Sequence, residues 1–232
     1  MTVQGHRSDQ TTTADTPLSP GRTPARHGGR TVRPGRGAPV HDLRAGHPAR
    51  ELRYPAGDLV VASGLPGSGK STLMKRTVAG LDLRGGAVCR VDSQDTRERW
   101  QRRLPDWLPY VVYRPLVRCA HYARLRRAVR SGASVVVHDC GQLVWVRRWL
   151  ARRARRQGRR LHAVLLDVSP AVALAGQSAR GRAVSGYAFG RHRRAMARLF
   201  EEAEAGRPPR GCSSAVLLDR AAVDALETIG FD

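Results

Sequence analysis

The chain has 232 residues and a formal net charge of +22, which leaves room for one α/β domain of about 180 residues plus an appendage, not several domains. No run of 18 apolar residues and no apolar N-terminal segment occurs, which argues against a membrane span or secretory leader. The four scattered cysteines, Cys89, Cys119, Cys140 and Cys212, form no C-x-x-C pair and point to a reduced, cytoplasmic setting instead of a disulfide framework or zinc site.

Nearly all the positive charge is arginine, because Lys70 and Lys75 are the only lysines. Such a balance suits a polyanionic partner such as nucleic acid, and it also suits plain arginine-rich coding. Residues 1–50 are rich in Gly, Pro, Thr and Arg without helical or strand periodicity, and bury too little apolar surface to offset the entropy of ordering. They read as a disordered tail. Its arginines Arg22, Arg26, Arg30, Arg33 and Arg36 would serve either a spacer or a polyanion-binding arm.

From residue 51 to 232 the pattern is that of a single domain. Short β-branched apolar runs at 59–62, 88–91, 135–137, 163–166 and 215–218 predict five strands. Helical patterns at 71–81, 96–104, 116–130, 143–156, 170–180, 189–205 and 221–228 separate them. Strands alternating with helices imply a parallel sheet with right-handed crossovers, an α/β fold in three layers.

The stretch Gly64, Leu65, Pro66, Gly67, Ser68, Gly69, Lys70, Ser71 satisfies G-x-x-x-x-G-K-[ST], and Thr72 continues it. It follows a buried strand pattern and precedes a helical one, as a P-loop must. The glycines allow backbone amides to wrap a phosphate, Lys70 reaches the β and γ oxygens, and the Ser71 hydroxyl is a ligand for Mg²⁺. ATP with Mg²⁺ is the expected cofactor pair.

With GLPGSGKST opening the domain, the sequence resembles the small P-loop kinases related to polynucleotide kinase, gluconate kinase, chloramphenicol phosphotransferase and the zeta toxins, chains usually labelled AAA family ATPase or ATP-binding protein. The resemblance spans roughly residues 57–230 and implies a P-loop NTPase fold with an arginine-bearing lid. It implies an acid and an arginine just after the second strand, which this chain offers as Asp92-Ser93-Gln94-Asp95-Thr96-Arg97. Arg97 takes the place of the family arginine, which puts Gln94 where an aspartate is often found. Asp92 and Asp95 remain as alternative bases for an acceptor hydroxyl, and either can equally cap the helix that follows. Asp139, at the end of the third run, is in the position of a Walker B carboxylate holding Mg²⁺ through water. Arg180 and Arg182, and more weakly Arg191, Arg193 and Arg194, stand where the lid arginines of such kinases close over ATP.

His138 and Cys140 flank Asp139 and read as packing residues. Trp100, Trp107, Tyr110, Tyr113 and Tyr122 fall between the second and third strands, where related kinases build the acceptor site, although core packing is the plainer reading. The helix at 143–156 sets Val146, Trp149, Leu150 and Ala154 against paired arginines, an amphipathic surface helix able to meet nucleic acid. The whole reads as a kinase transferring the γ-phosphoryl group to a hydroxyl of a small molecule or nucleic-acid end. A nucleotide-dependent switch or slow ATPase with a basic partner surface is the alternative.

Overall fold

A computed structural model of the chain describes residues 30–139, 144–179 and 185–232. Among these the elements run β1 (Thr31–Val32), β2 (Val40–Asp42), β3 (Glu51–Tyr54), β4 (Leu59–Gly64), α1 (Lys70–Thr77), β5 (Val88–Val91), α2 (Ser93–Gln101), α3 (Tyr110–Arg130) and β6 (Ser134–Asp139). They continue with α4 (Val144–Arg156), β7 (Leu161–Leu166), α5 (Pro170–Ser178), α6 (Gly186–Glu204), β8 (Ser214–Leu218), α7 (Arg220–Ala225) and β9 (Thr228–Phe231). None of the described helices is long and apolar enough to cross a membrane.

The five expected strands are β4 to β8, and all lie parallel in one sheet of order β2-β8-β7-β4-β6-β5. Their hydrophobic runs are continuous because both faces of the sheet are covered. Alternation along each strand divides the side chains between two cores. Leu59, Val61, Val135, Val137, Leu161, Ala163, Leu165, Ala215 and Leu217 meet α3, α4 and α6 on one side. Val60, Ala62, Val136, Val164, Leu166, Val216 and Leu218 meet α1, α7 and the small sheet on the other. Central strand β4 has β6 on one side and β7 on the other, so the crevice at its C-terminal end opens where the strand order reverses, the usual ligand site of such sheets.

Two features depart from the sequence reading. Residues 30–50, assigned to the tail, contain β1 and β2. Strand β2 adds a sixth, parallel strand beside β8, and β1 joins β3 and β9 in a second, three-stranded parallel sheet. Pieces of two and three residues among Gly and Pro are too short for a period to register, and only tertiary pairing holds them. The helix expected over 221–228 is also shorter, since α7 stops at Ala225 and Thr228–Phe231 forms β9, which pairs with β3.

Helix starts differ for local reasons. Helix α2 begins three residues early because Asp92 caps it, accepting the Gln94 amide at 2.8 Å. Helix α3 begins at Tyr110 and runs through Pro115, ahead of the start expected at residue 116. Its outer residues Val111, Val112 and Leu116 are exposed, so apolar spacing does not mark this turn.

The lower end of the sheet is pinned by a buried polar cluster. His162 at the start of β7 lies 3.0 Å from Asp58 Oδ2 through Nε2 and 2.8 Å from Ser214 Oγ through Nδ1, and Asp58 also accepts the Arg160 amide at 2.8 Å. The cluster ties the starts of β4, β7 and β8 together. Arg159 adds a clamp across the same end, donating to the carbonyls of Gly57, Val129 and Ala133. Asp58→Ala would leave the buried His162 imidazole and the part-buried Arg160 amide without their acceptor. Urea denaturation is expected to register a loss of about 3 kcal/mol, with nucleotide affinity unchanged because the cluster is at the opposite end of the sheet from the P-loop.

Candidate active site

The P-loop leaves β4 at Gly64, in register with Leu166 of β7, and enters α1 at Lys70. Gly67 and Gly69 hold φ of 88° and 89°, a region that disfavours any side chain. Close packing adds a second constraint. A Cβ on Gly67 would come within 2.0 Å of the Ala173 carbonyl oxygen, and one on Gly64 within 2.8 Å of Ser68 Oγ. Helix α5 therefore backs directly onto the loop, where Gln177 Nε2 also donates to the Pro66 carbonyl at 3.0 Å. Nothing in the motif itself pointed to Gln177.

Lys70 is 3% exposed. Its ammonium donates to the carbonyls of Gly64 at 2.8 Å and Leu65 at 2.7 Å, and lies 3.3 Å from Ser68 Oγ. The side chain thus spans the loop from its last residue to its first. With these carbonyls turned onto the ammonium, the loop is set to present amides to an anion.

Three residues from separate elements meet here: Ser71, Asp92 and His138. Asp92 at the end of β5 is fully buried, and His138 Nδ1 lies 2.8 Å from its Oδ1. An ionised carboxylate can only accept, so Nδ1–H is the donor. The same nitrogen is 3.5 Å from Ser71 Oγ. Burial works to raise the Asp92 carboxyl, but the bond and charge of His138, the Ser71 hydroxyl and the Gln94 amide outweigh it and hold the group well below the usual carboxylate range. Asp92 Oδ2 is buried and makes no hydrogen bond. His138, read from the sequence as packing, is in fact the link between the acid and the P-loop serine.

Asp95 is placed differently. It faces Lys75 of α1 at 3.5 Å and Arg90 of β5 at 3.7 Å, not the site. Gln94 and Arg97 line a cavity of about 410 Å³ whose wall also includes Tyr110, Arg114, Arg118, His121, Tyr122, His138 and Arg147. The Arg97 guanidinium sits 3.9 Å from the centroid of the Tyr110 ring. Of the interleaved aromatics, Tyr110 and Tyr122 reach the cavity, Tyr113 is buried and Trp107 is 78% exposed. Arg147, expected on the polar face of its helix, is only 4% exposed and lines the same cavity.

Asp139 closes β6 opposite Ser63 of β4, one residue from the P-loop. Its side chain, like Arg180 and Arg182 between α5 and α6, lies outside the described residues. Arg191, Arg193 and Arg194 are exposed on α6.

A family model described as an AAA domain matches residues 59–203, more than half of the chain. The chain belongs to this AAA-domain family. It is accordingly a P-loop, kinase-like protein, as the resemblance read from its motifs implied. Similar solved structures include one of the Pnkp1/Rnl/Hen1 RNA repair complex, with 17% identity, a TM-score of 0.47 and coverage of 64% of this chain and 46% of that one. The present chain thus spans less than half the length of that polypeptide. A candidate kinase from Chloroflexus aurantiacus shares 15% identity over 70% of this chain and 84% of its own, with a TM-score of 0.47. A structure from the PezAT chromosomal toxin-antitoxin system of Streptococcus pneumoniae shares 12% identity over 73% and 76%, also with a TM-score of 0.47. No curated protein sequence matches the chain.

His121 supplies a pH signature for the cavity. Burial, with the charges of His138 and Arg124, pushes its imidazole down to about 4 against the opposing pull of Asp92. The unfolded ring titrates near 6.5, so the unfolded chain takes up a proton before the folded one does. The stability held by the neutral ring is complete above about pH 6.5 and is lost as pH falls toward 4. Urea denaturation across this window is expected to give a shallower fall for His121→Gln than for the parent chain, and equal slopes would refute the assignment.

Proposed function

We propose that the protein is a Mg²⁺-ATP-dependent phosphotransferase that moves the γ-phosphoryl group to a hydroxyl of an acceptor held in the cavity beside the P-loop. The observation that carries this reading is the meeting of Ser71, Asp92 and His138 next to that cavity. An ATPase needs no pocket for an organic second substrate, because its acceptor is water. A built pocket opening beside it, with Gln94 and Arg97 in its wall, favours a second substrate.

In this reading the P-loop amides and Lys70 hold the β and γ phosphates. The Ser71 hydroxyl and the unpartnered, ionised Asp92 Oδ2 suit a Mg²⁺ that arrives with the nucleotide, with Asp139 as a further outer ligand. Bound there, the ion would neutralise charge that develops on the phosphates. His138 fixes the Asp92 carboxylate, and Arg97 steadies the acceptor. As the acceptor oxygen bonds to the γ phosphorus, the bond to the β–γ bridging oxygen breaks. ADP leaves and the hydroxyl proton passes to water. A carboxylate held so far below its usual range is a weak base, so Asp92 contributes charge and position more than proton abstraction, which a loose phosphoryl transition state tolerates. Arg180 and Arg182 fit the role of lid arginines that complete the charge balance.

Lys70→Ala is expected to abolish ATP turnover, read with γ-labelled ATP, while leaving the thermal unfolding transition in place. Undiminished turnover in that variant would remove the reading. Asp92→Asn is expected to lower transfer by two orders of magnitude or more with ATP affinity within a few-fold of the parent. Steady ATP hydrolysis with no acceptor labelled from a panel of nucleosides, sugars, hydroxylated antibiotics and 5′-hydroxyl oligonucleotides would favour a switch or slow ATPase instead.

A further inference from the structure

The cavity beside the P-loop has a charge that its place in a kinase does not by itself require. Four arginines from three helices reach it, Arg97 from α2, Arg114 and Arg118 from α3, and Arg147 from α4, together with His121, His138 and His192. Among the described lining residues there is no Asp or Glu. Asp92 stands behind His138, and its Oδ1 is taken by His138 and the Gln94 amide. Two nitrogens of the cavity residues, the Arg97 Nε–H donor and His121 Nδ1, are buried and make no hydrogen bond, a costly state for a polar group unless a ligand completes it.

The arginines differ in their freedom. Arg97 is stacked on Tyr110, and Arg147 is buried. Arg114 and Arg118 are exposed and four residues apart on α3, so they project from one face of the helix over the cavity. Two guanidiniums so placed can take one anionic group in a forked, charge-assisted grip. The rest of the wall is Tyr110, Tyr122, Val117, Leu125, Val137 and Leu150, which suits a compact ring or carbon skeleton. At about 410 Å³ the space matches a small ligand.

We infer that the acceptor is a compact organic phosphate, a hydroxyl compound that already carries a phosphomonoester, and that Arg114 and Arg118 are the residues that select it. The inference rests on the cavity being an acceptor site, and it narrows that site to one chemical class. A neutral hydroxyl compound would leave Arg97, Arg114 and Arg118 facing one another over the cavity, while a phosphomonoester supplies them with a counter-charge.

The test fills the P-loop first, so that the probe anion reports on the cavity. The full chain is saturated with Mg²⁺ and a non-hydrolysable ATP analogue, and phenyl phosphate and phenol are titrated by calorimetry. Phenyl phosphate is expected to bind at least about tenfold more tightly than phenol, and the double variant R114Q/R118Q to lose about tenfold or more of that affinity while binding the ATP analogue as before. Both residues are exposed, and the circular dichroism of the variant checks that it is folded. Equal binding of the two probes, no binding of phenyl phosphate, or an unchanged affinity in the variant overturns the inference. A 5′-hydroxyl decanucleotide that binds more than about tenfold tighter than phenyl phosphate, through the same arginines, overturns the compact acceptor in favour of a polymer. The two readings fail separately. Phosphate binding that depends on Arg114 and Arg118 but is never accompanied by transfer from ATP sinks the phosphotransferase, whereas transfer to neutral hydroxyls without anion binding sinks only the present inference.

Discussion

The ammonium of Lys70, bound across its own loop to the carbonyls of Gly64 and Leu65, is the contact on which the rest of the site depends. It turns the carbonyls inward and leaves the amides to face a phosphate. It also fixes where α1 begins, and therefore where the Ser71 hydroxyl stands. In a chain whose cations are otherwise almost all arginine, a lysine here has a physical reason. A compact ammonium with three donors fits between two carbonyls and a hydroxyl, where a planar guanidinium would not.

From that point the sheet does the positioning. Strand β4 delivers the P-loop, its neighbour β6 delivers His138, and β5 beyond it delivers Asp92. Parallel strands end on the same side, so residues far apart in the chain come to one edge. Helix α5 closes the other flank, with the Ala173 carbonyl and Gln177 pressed against Gly67 and Pro66. The glycines thus serve backbone packing as well as phosphate approach.

The arginines illustrate how one residue type serves unlike ends. Arg159 clamps three carbonyls beneath the sheet. Arg44 joins Asp42, Asp167 and Glu204 and so fastens the end of β2 to β7 and α6. Arg97, Arg114, Arg118 and Arg147 face the cavity. A net charge of +22 is therefore partly structural and partly a feature of one pocket, and it does not by itself indicate nucleic acid.

What could be read from the sequence alone was whatever is local in the chain. The P-loop is contiguous, and its glycines, Lys70 and Ser71 carry their roles in their spacing. The five long strands announced themselves as unbroken apolar runs because both faces of the sheet are buried. What only the tertiary structure decided is whatever depends on distant partners. Val40–Asp42 is a strand because β8 offers it a free edge, not because three residues prefer to be extended. Asp92 and Asp95 stand three residues apart and were alternative candidates until the fold sent one to Ser71 and His138 and the other to Lys75 and Arg90. His138 and Arg147 looked like filler and a surface charge, and burial gave each a place in the site. Spacing along a chain records bonds between near neighbours, whereas burial and charge pairing are set by segments that meet only when the sheet is assembled.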